Sequence, residues 1–171
     1  MDALMIVLRL LHIVLGVFWA GTIFFLVLFL GPTVRTVGPE GAPVMRELIR
    51  RRFLDVMPAV AVLTILTGLI LYWRLSGGLA AGWVGSPSGL SLTVGGVASI
   101  LALLVGLFGV RSATLRAVRL SAAAATASDN QERERMQAEV QRLRLRSAAS
   151  ASWVGVLLLI AVVTMAVARY L

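Results

Sequence analysis

The chain has 171 residues, of which 59% are apolar and 14% charged, and it carries a net charge of +8. Its mean hydropathy of +0.93 lies beyond the range of water-soluble domains. With no cysteine, disulfides, thiolate metal sites and iron–sulfur ligation are excluded. The basic excess does not point to nucleic acid, because in so apolar a chain it follows from membrane orientation.

Crossing about 30 Å of hydrocarbon takes about 20 apolar residues. Four segments qualify, near 5–30, 54–75, 90–110 and 151–170. The expected fold is therefore all-α, a four-helix transmembrane bundle forming one integral membrane domain over 1–171. The first apolar run, Leu4 to Leu30, is too long for the core of a signal peptide and reads as a retained helix. Gly31-Pro32 lies between the first two spans, Pro39 and Pro43 follow, and Val44 to Arg52 reads as a short amphipathic stretch at the interface. Pro58 predicts a kink in the second span. The connection Ser76 to Gly89 is rich in glycine and serine around Trp83, as suits a short interfacial loop.

The segment 111–148 is polar but periodic. Leu115, Val118, Ala122 and Ala125 recur at helical spacing on one arm, and Met136, Val140, Leu143 and Ser147 on the other. That pattern predicts a helical hairpin extending the third and fourth spans, with its tip near Thr126 to Asn130 and a capping box at Asp129 and Glu132. Thirteen of the sixteen arginines fall in 35–52 and 111–148. The positive-inside rule puts that end in the cytoplasm, with both termini outside a bacterial cytoplasmic (inner) membrane. Trp73, Trp83 and Tyr170 then mark the outer boundary and Trp153 the inner one.

His12 is the single histidine and lies within the first span. An ionisable group at membrane depth is a functional candidate by default. Gly16, Trp19 and Ala20 share its helix face, giving a ligand, a gap and an aromatic wall. Counted down from Arg9, Arg74 and Arg169, His12 lies about one turn beneath the outer boundary, level with Tyr72, with Gly95 and Gly96, and with Met165. Imidazole and thioether are common axial ligands of haem iron, and paired glycines leave room for a macrocycle. His12 and Met165 are thus the candidate metal ligands, with Gly16, Tyr72, Gly95 and Gly96 around the cofactor and Arg9 or Arg74 toward its propionates. The structural alternative is that His12 donates to Tyr72 or to a backbone carbonyl, and no cofactor is bound.

On the third span Gly95, Ser99, Ala102, Gly106 and Gly109 form a seam of small residues for a close helix, where Gly106→Leu would overpack. Ala61, Thr64, Gly68 and Tyr72 make a similar stripe on the second. Asp55 is the one acid at a span end, with Arg51 and Arg52 expected to neutralise it. Neither a carboxylate pair nor a catalytic constellation is legible, and no polar line crosses the bilayer as a transporter or channel needs.

At Leu11-His12, Trp19-Ala20-Gly21, Arg51-Arg52-Phe53, Met57 and Leu66-Thr67-Gly68 the chain resembles the small bacterial membrane proteins of the copper-resistance D family and the four-helix bacterial protoporphyrinogen oxidases. The likeness covers the first two spans. It implies haem b on the first-span histidine, which here is His12. The basic and polar residues of the oxidases' third and fourth spans have no counterparts, and methionine–histidine clusters for copper are absent. The expected function is a non-catalytic membrane subunit or assembly factor that packs against a larger respiratory or photosynthetic complex, with a membrane-protein partner or a second copy in the bilayer. The alternative is a haem b protein serving electron transfer or porphyrin chemistry.

Overall fold

The computed structural model describes residues 3–171, the side chain of Pro39 excepted. Four helices are long and apolar enough to cross a membrane: α1 (Ala3–Val37), α3 (Phe53–Leu75), α5 (Pro87–Thr126) and α6 (Asn130–Tyr170). A nine-residue helix α2 (Ala42–Arg50) and a single turn α4 (Ala81–Val84) occupy the connections. There is no strand among the described residues.

The spans form a closed ring in which α1 packs on α3, α3 on α5, α5 on α6 and α6 on α1. Trp19, Ala20, Ala61, Ala102, Val154 and Leu158 make a layer to which all four contribute. Away from Trp19 the interior is mainly small or polar, with Thr64, Thr67, Gly95 and Ala98 buried, while Leu10, Val17, Leu66, Leu101 and Leu159 point outward. This inverts the usual arrangement of a soluble core. It is the packing expected where lipid replaces water and close backbone approach holds helices together.

Three helices carry an irregularity at the arginine-bearing end, each with a chemical cause or remedy. Pro32 has no N–H for the Leu28 carbonyl, and the turn before it widens to a π-helix over Leu26–Leu30, where the Gly31 N–H reaches Leu26 O. In α5 a second π turn spans Gly106–Arg111, with the Ser112 N–H donating to Leu107 O. The Ser112 hydroxyl satisfies the Phe108 carbonyl that this turn frees. Pro58 lies inside α3, which continues through it as one helix. Its missing N–H orphans Leu54 O, and Arg111 supplies the bond instead, Nε donating at 3.2 Å. The same guanidinium donates to Asp55 Oδ1 at 2.8 Å. Asp55 is therefore paired with Arg111 rather than with Arg51 or Arg52, because Arg51 turns to Glu47.

The hairpin runs as expected, with α5 ending at Thr126 and α6 starting at Asn130. Asp129 caps α6 by accepting from the Gln131 N–H at 3.1 Å, without a reciprocal bond from Glu132. Val140 and Leu143 are buried on the second arm, and Ser147 meets Thr114 at 2.9 Å. On the first arm the expected face is wrong. Val118 is 45% exposed, Ala122 and Ala125 are exposed, and the packed residues are Ala113, Ala117, Leu120 and Ala124. Alanines let the two axes approach more closely than a Leu115–Val118 ridge would, so the arm rotates by one residue.

A candidate site around His12

His12 stands in a notch on α3. Its Nδ1 lies 2.8 Å from Thr64 O and 3.4 Å from Thr67 Oγ1. A carbonyl only accepts, so Nδ1 carries the hydrogen, and in the neutral ring Nε2 keeps its lone pair. No described residue bonds Nε2, and no buried side-chain nitrogen or oxygen lacks a partner, so Nε2 is not sealed inside the bundle. The notch exists because residue 68 is glycine. A Cβ there would fall 2.8 Å from His12 Cε1. One turn along α1, Gly16 faces the Thr64 methyl, where a Cβ would meet Cγ2 at 3.6 Å. Trp19 and Ala20 continue the same face into the core. The second-span stripe of Ala61, Thr64 and Gly68 thus receives α1.

The depth expected for His12 needs correction. It is level with Thr64–Gly68, seven to eleven residues from Leu75, or about 10–16 Å from that end. The ring therefore meets α3 one to two turns from the expected Tyr72, because α1 and α3 are offset along their axes. Tyr72 is engaged elsewhere, its hydroxyl 2.6 Å from Thr93 Oγ1 and its ring edge-on to Trp83 at 5.3 Å. His12 chooses the backbone carbonyl of the two bland partners.

The remaining candidates gather between α5 and α6. A Cβ on Gly95 would meet Met165 Cγ and Thr164 Oγ1, each at 2.8 Å, so the thioether already fills that notch. Ser91 donates to Thr164 O at 2.8 Å beside it. Gly96 has no heavy atom within 4 Å of its would-be Cβ and lines no such notch. The seam is followed at Gly95, Ala102, which is fully buried, and Gly109, whose Cβ would fall 2.5 Å from Ser150 Oγ. Ser99 bonds back to Gly95 O. Gly106 departs from it, with nothing within 4 Å of a Cβ. Sequence reasoning missed Arg111, Thr67 and both π turns. Only Pro32 and Pro58 signal that carbonyls need other partners there.

Tested against haem, the donor fits and the space does not. A histidine whose Nδ1–H is held by a carbonyl is oriented as metal-ligating histidines are. The glycines meant to bed a macrocycle are filled by Met165 or face away. Among the described residues no group of three or more His, Asp or Glu could hold a metal ion. The fold defines an all-helical protein with four helices of membrane-spanning length and hydropathy. No known protein family, no curated protein and no solved structure matches the chain.

Proposed function

We propose that the chain is a non-catalytic multi-pass subunit or assembly factor of a bacterial cytoplasmic membrane, packing against a larger respiratory or photosynthetic complex or a second copy. Its arginine-rich end and hairpin face the cytoplasm and both termini lie outside, on the bias of thirteen arginines to one end. One observation carries the reading: the neighbouring helices α1 and α3, α3 and α5, and α5 and α6 are each joined by a polar bond. His12 holds Thr64 O, Tyr72 holds Thr93, Ser91 holds Thr164 O and Arg111 holds Leu54 O. Such bonds replace water as partners in hydrocarbon and stabilise a scaffold without assembling a reaction centre. Native electrophoresis of mildly solubilised membranes tests it. The chain should migrate in a species larger than itself, and a monomer at all detergent levels counts against the proposal. Cysteines placed singly at Ser86 and Ser128 test orientation, with only Ser86 expected to label from outside.

A second reading, haem b on His12, rests on the Nδ1–H bond that leaves Nε2 available. A Soret band lost in His12→Ala supports it, and a colourless protein produced with ample haem ends it.

A further inference from the structure

At the arginine-bearing end the bundle is not closed. A crevice of about 90 Å³ lies among α1, α3 and α5, with Ala151 and Val154 of α6 also in its lining. Each of the three irregular segments contributes to its wall: Val27 from the first π turn, Pro58 from α3, and Gly106 and Arg111 from the second. Trp19, Ala61 and Ala102 are its lining residues farthest from that end. Apart from Arg111 at its rim, the lining is apolar, and the slot is far smaller than the 300–1,000 Å³ typical of a pocket for a compact small molecule. A single hydrocarbon chain is the shape that suits it.

Arginines adjoin part of its lining in sequence. Phe53 and Leu54 line the crevice, and Arg52 precedes them in a left-handed conformation with φ 59°, turning the chain sharply from α2 into α3. On α2, Arg46 and Arg50 share one side, and Val44 and Met45 are exposed apolar groups on the other. Glu47 takes Arg50 at 2.7 Å and Arg51 at 2.9 Å. Arg35, Arg46 and Arg52 form no ion pair among the described residues. Unpaired cations beside an apolar slot, at the end of a membrane-length helix, complement an amphiphile whose head is anionic.

We propose that this crevice takes a short stretch of one acyl chain of an anionic phospholipid from the leaflet at the arginine-bearing end, with the phosphate held by Arg52 and by Arg46 of the adjoining α2. The site rests on the membrane reading above but not on any partner complex or haem.

The test uses the full chain in nanodiscs, with Trp73, Trp83 and Trp153 replaced by phenylalanine so that Trp19 reports from the crevice. Phosphatidylglycerol or phosphatidylcholine with brominated acyl chains serves as the quencher. Quenching of Trp19 should saturate at a lower mole fraction of the anionic lipid, by about fivefold for each engaged arginine. Arg46→Gln with Arg52→Asn, which tolerates the left-handed corner, should erase that preference. Gly106→Leu has space to grow into the crevice and should abolish Trp19 quenching by either lipid while helicity is retained. A variant keeping only Trp153, which is 64% exposed, should be quenched equally by both lipids. Equal Trp19 quenching by the two lipids, or quenching that survives Gly106→Leu, overturns the site. Failure of the wild-type chain to float with vesicles overturns the membrane reading itself.

Discussion

The α5–α6 pair and the α1–α3 pair are both antiparallel helix contacts, yet they are built on opposite principles. Between α5 and α6, Gly95, Ala102, Gly109, Ala113 and Ala117 let the backbones meet along the length of the hairpin, and Met165 and Ser150 fill what the glycines leave. Between α1 and α3 the contact is a few specific fittings, His12 into Gly68 and Gly16 onto Thr64, and it opens into a crevice beyond Trp19. The continuous seam gives rigidity. The discontinuous one leaves room, and it is where the irregular turns and the unpaired cations collect.

The largest effects should come from breaking the seam. Gly109→Leu forces a side chain into Ser150, and Ala117→Leu pushes the hairpin arms apart; each should cost about 1–3 kcal/mol, read as a lowered thermal midpoint in detergent. Gly106→Leu, three residues from Gly109, should cost far less, and equal losses at the two glycines would show that Gly106 faces a helix after all. Next comes the notch. His12→Ala leaves Thr64 O without its cross-helix donor and should cost about 1–2 kcal/mol, measured by unfolding of the same sample. Gly68→Ala should displace the ring and lower stability without removing the imidazole, so it separates the fit from the hydrogen bond.

Arg111→Met should cost about 1 kcal/mol, since it orphans Leu54 O. Asp55→Asn should cost under about 1 kcal/mol, because the ion pair is largely exposed. Similar losses for the two would mean that the charge pair, not the proline-freed carbonyl, is what Arg111 serves. Val118→Ser on the hairpin should stay within about 0.5 kcal/mol, whereas a loss matching Ala117→Leu would restore the original face. The smallest effect concerns Glu47, whose carboxylate is held below its ordinary range by hydrogen bonds first from Arg50 and then from Arg51. A lowered folded value means that its contribution is present above the unfolded value and lost as pH falls through the folded one. Amide exchange over 42–52 should thus quicken only below the ordinary glutamate range, about pH 4.

Hydropathy, length and the Asp129 cap made the spans and the hairpin tip legible, because each depends on residues close together in sequence. The stripe of Ala61, Thr64 and Gly68 was legible for the same reason. Choosing between Ala117 and Val118 as the packed residue was not, since alanines occur on both faces of that arm and the period alone does not rank them. The level of His12 failed because depth was counted from arginines, and the offset between α1 and α3 is set by which glycine receives the ring. Arg111 and Leu54 are 57 residues apart, and nothing in either neighbourhood announces the other.

Helices α5 and α6 pass without a break from the apolar ring into the polar hairpin, 40 and 41 residues long, or roughly 60 Å each. About half of that length exceeds the hydrocarbon thickness. The protein therefore carries a stiff mast whose foot, the π turn at Gly106–Arg111, forms one wall of the crevice and grips α3 through Leu54 and Asp55. A load placed on the tip at Ala127 to Asp129 acts on that foot with the leverage of the whole projecting arm, and what it would pry is the wall between α5 and α3.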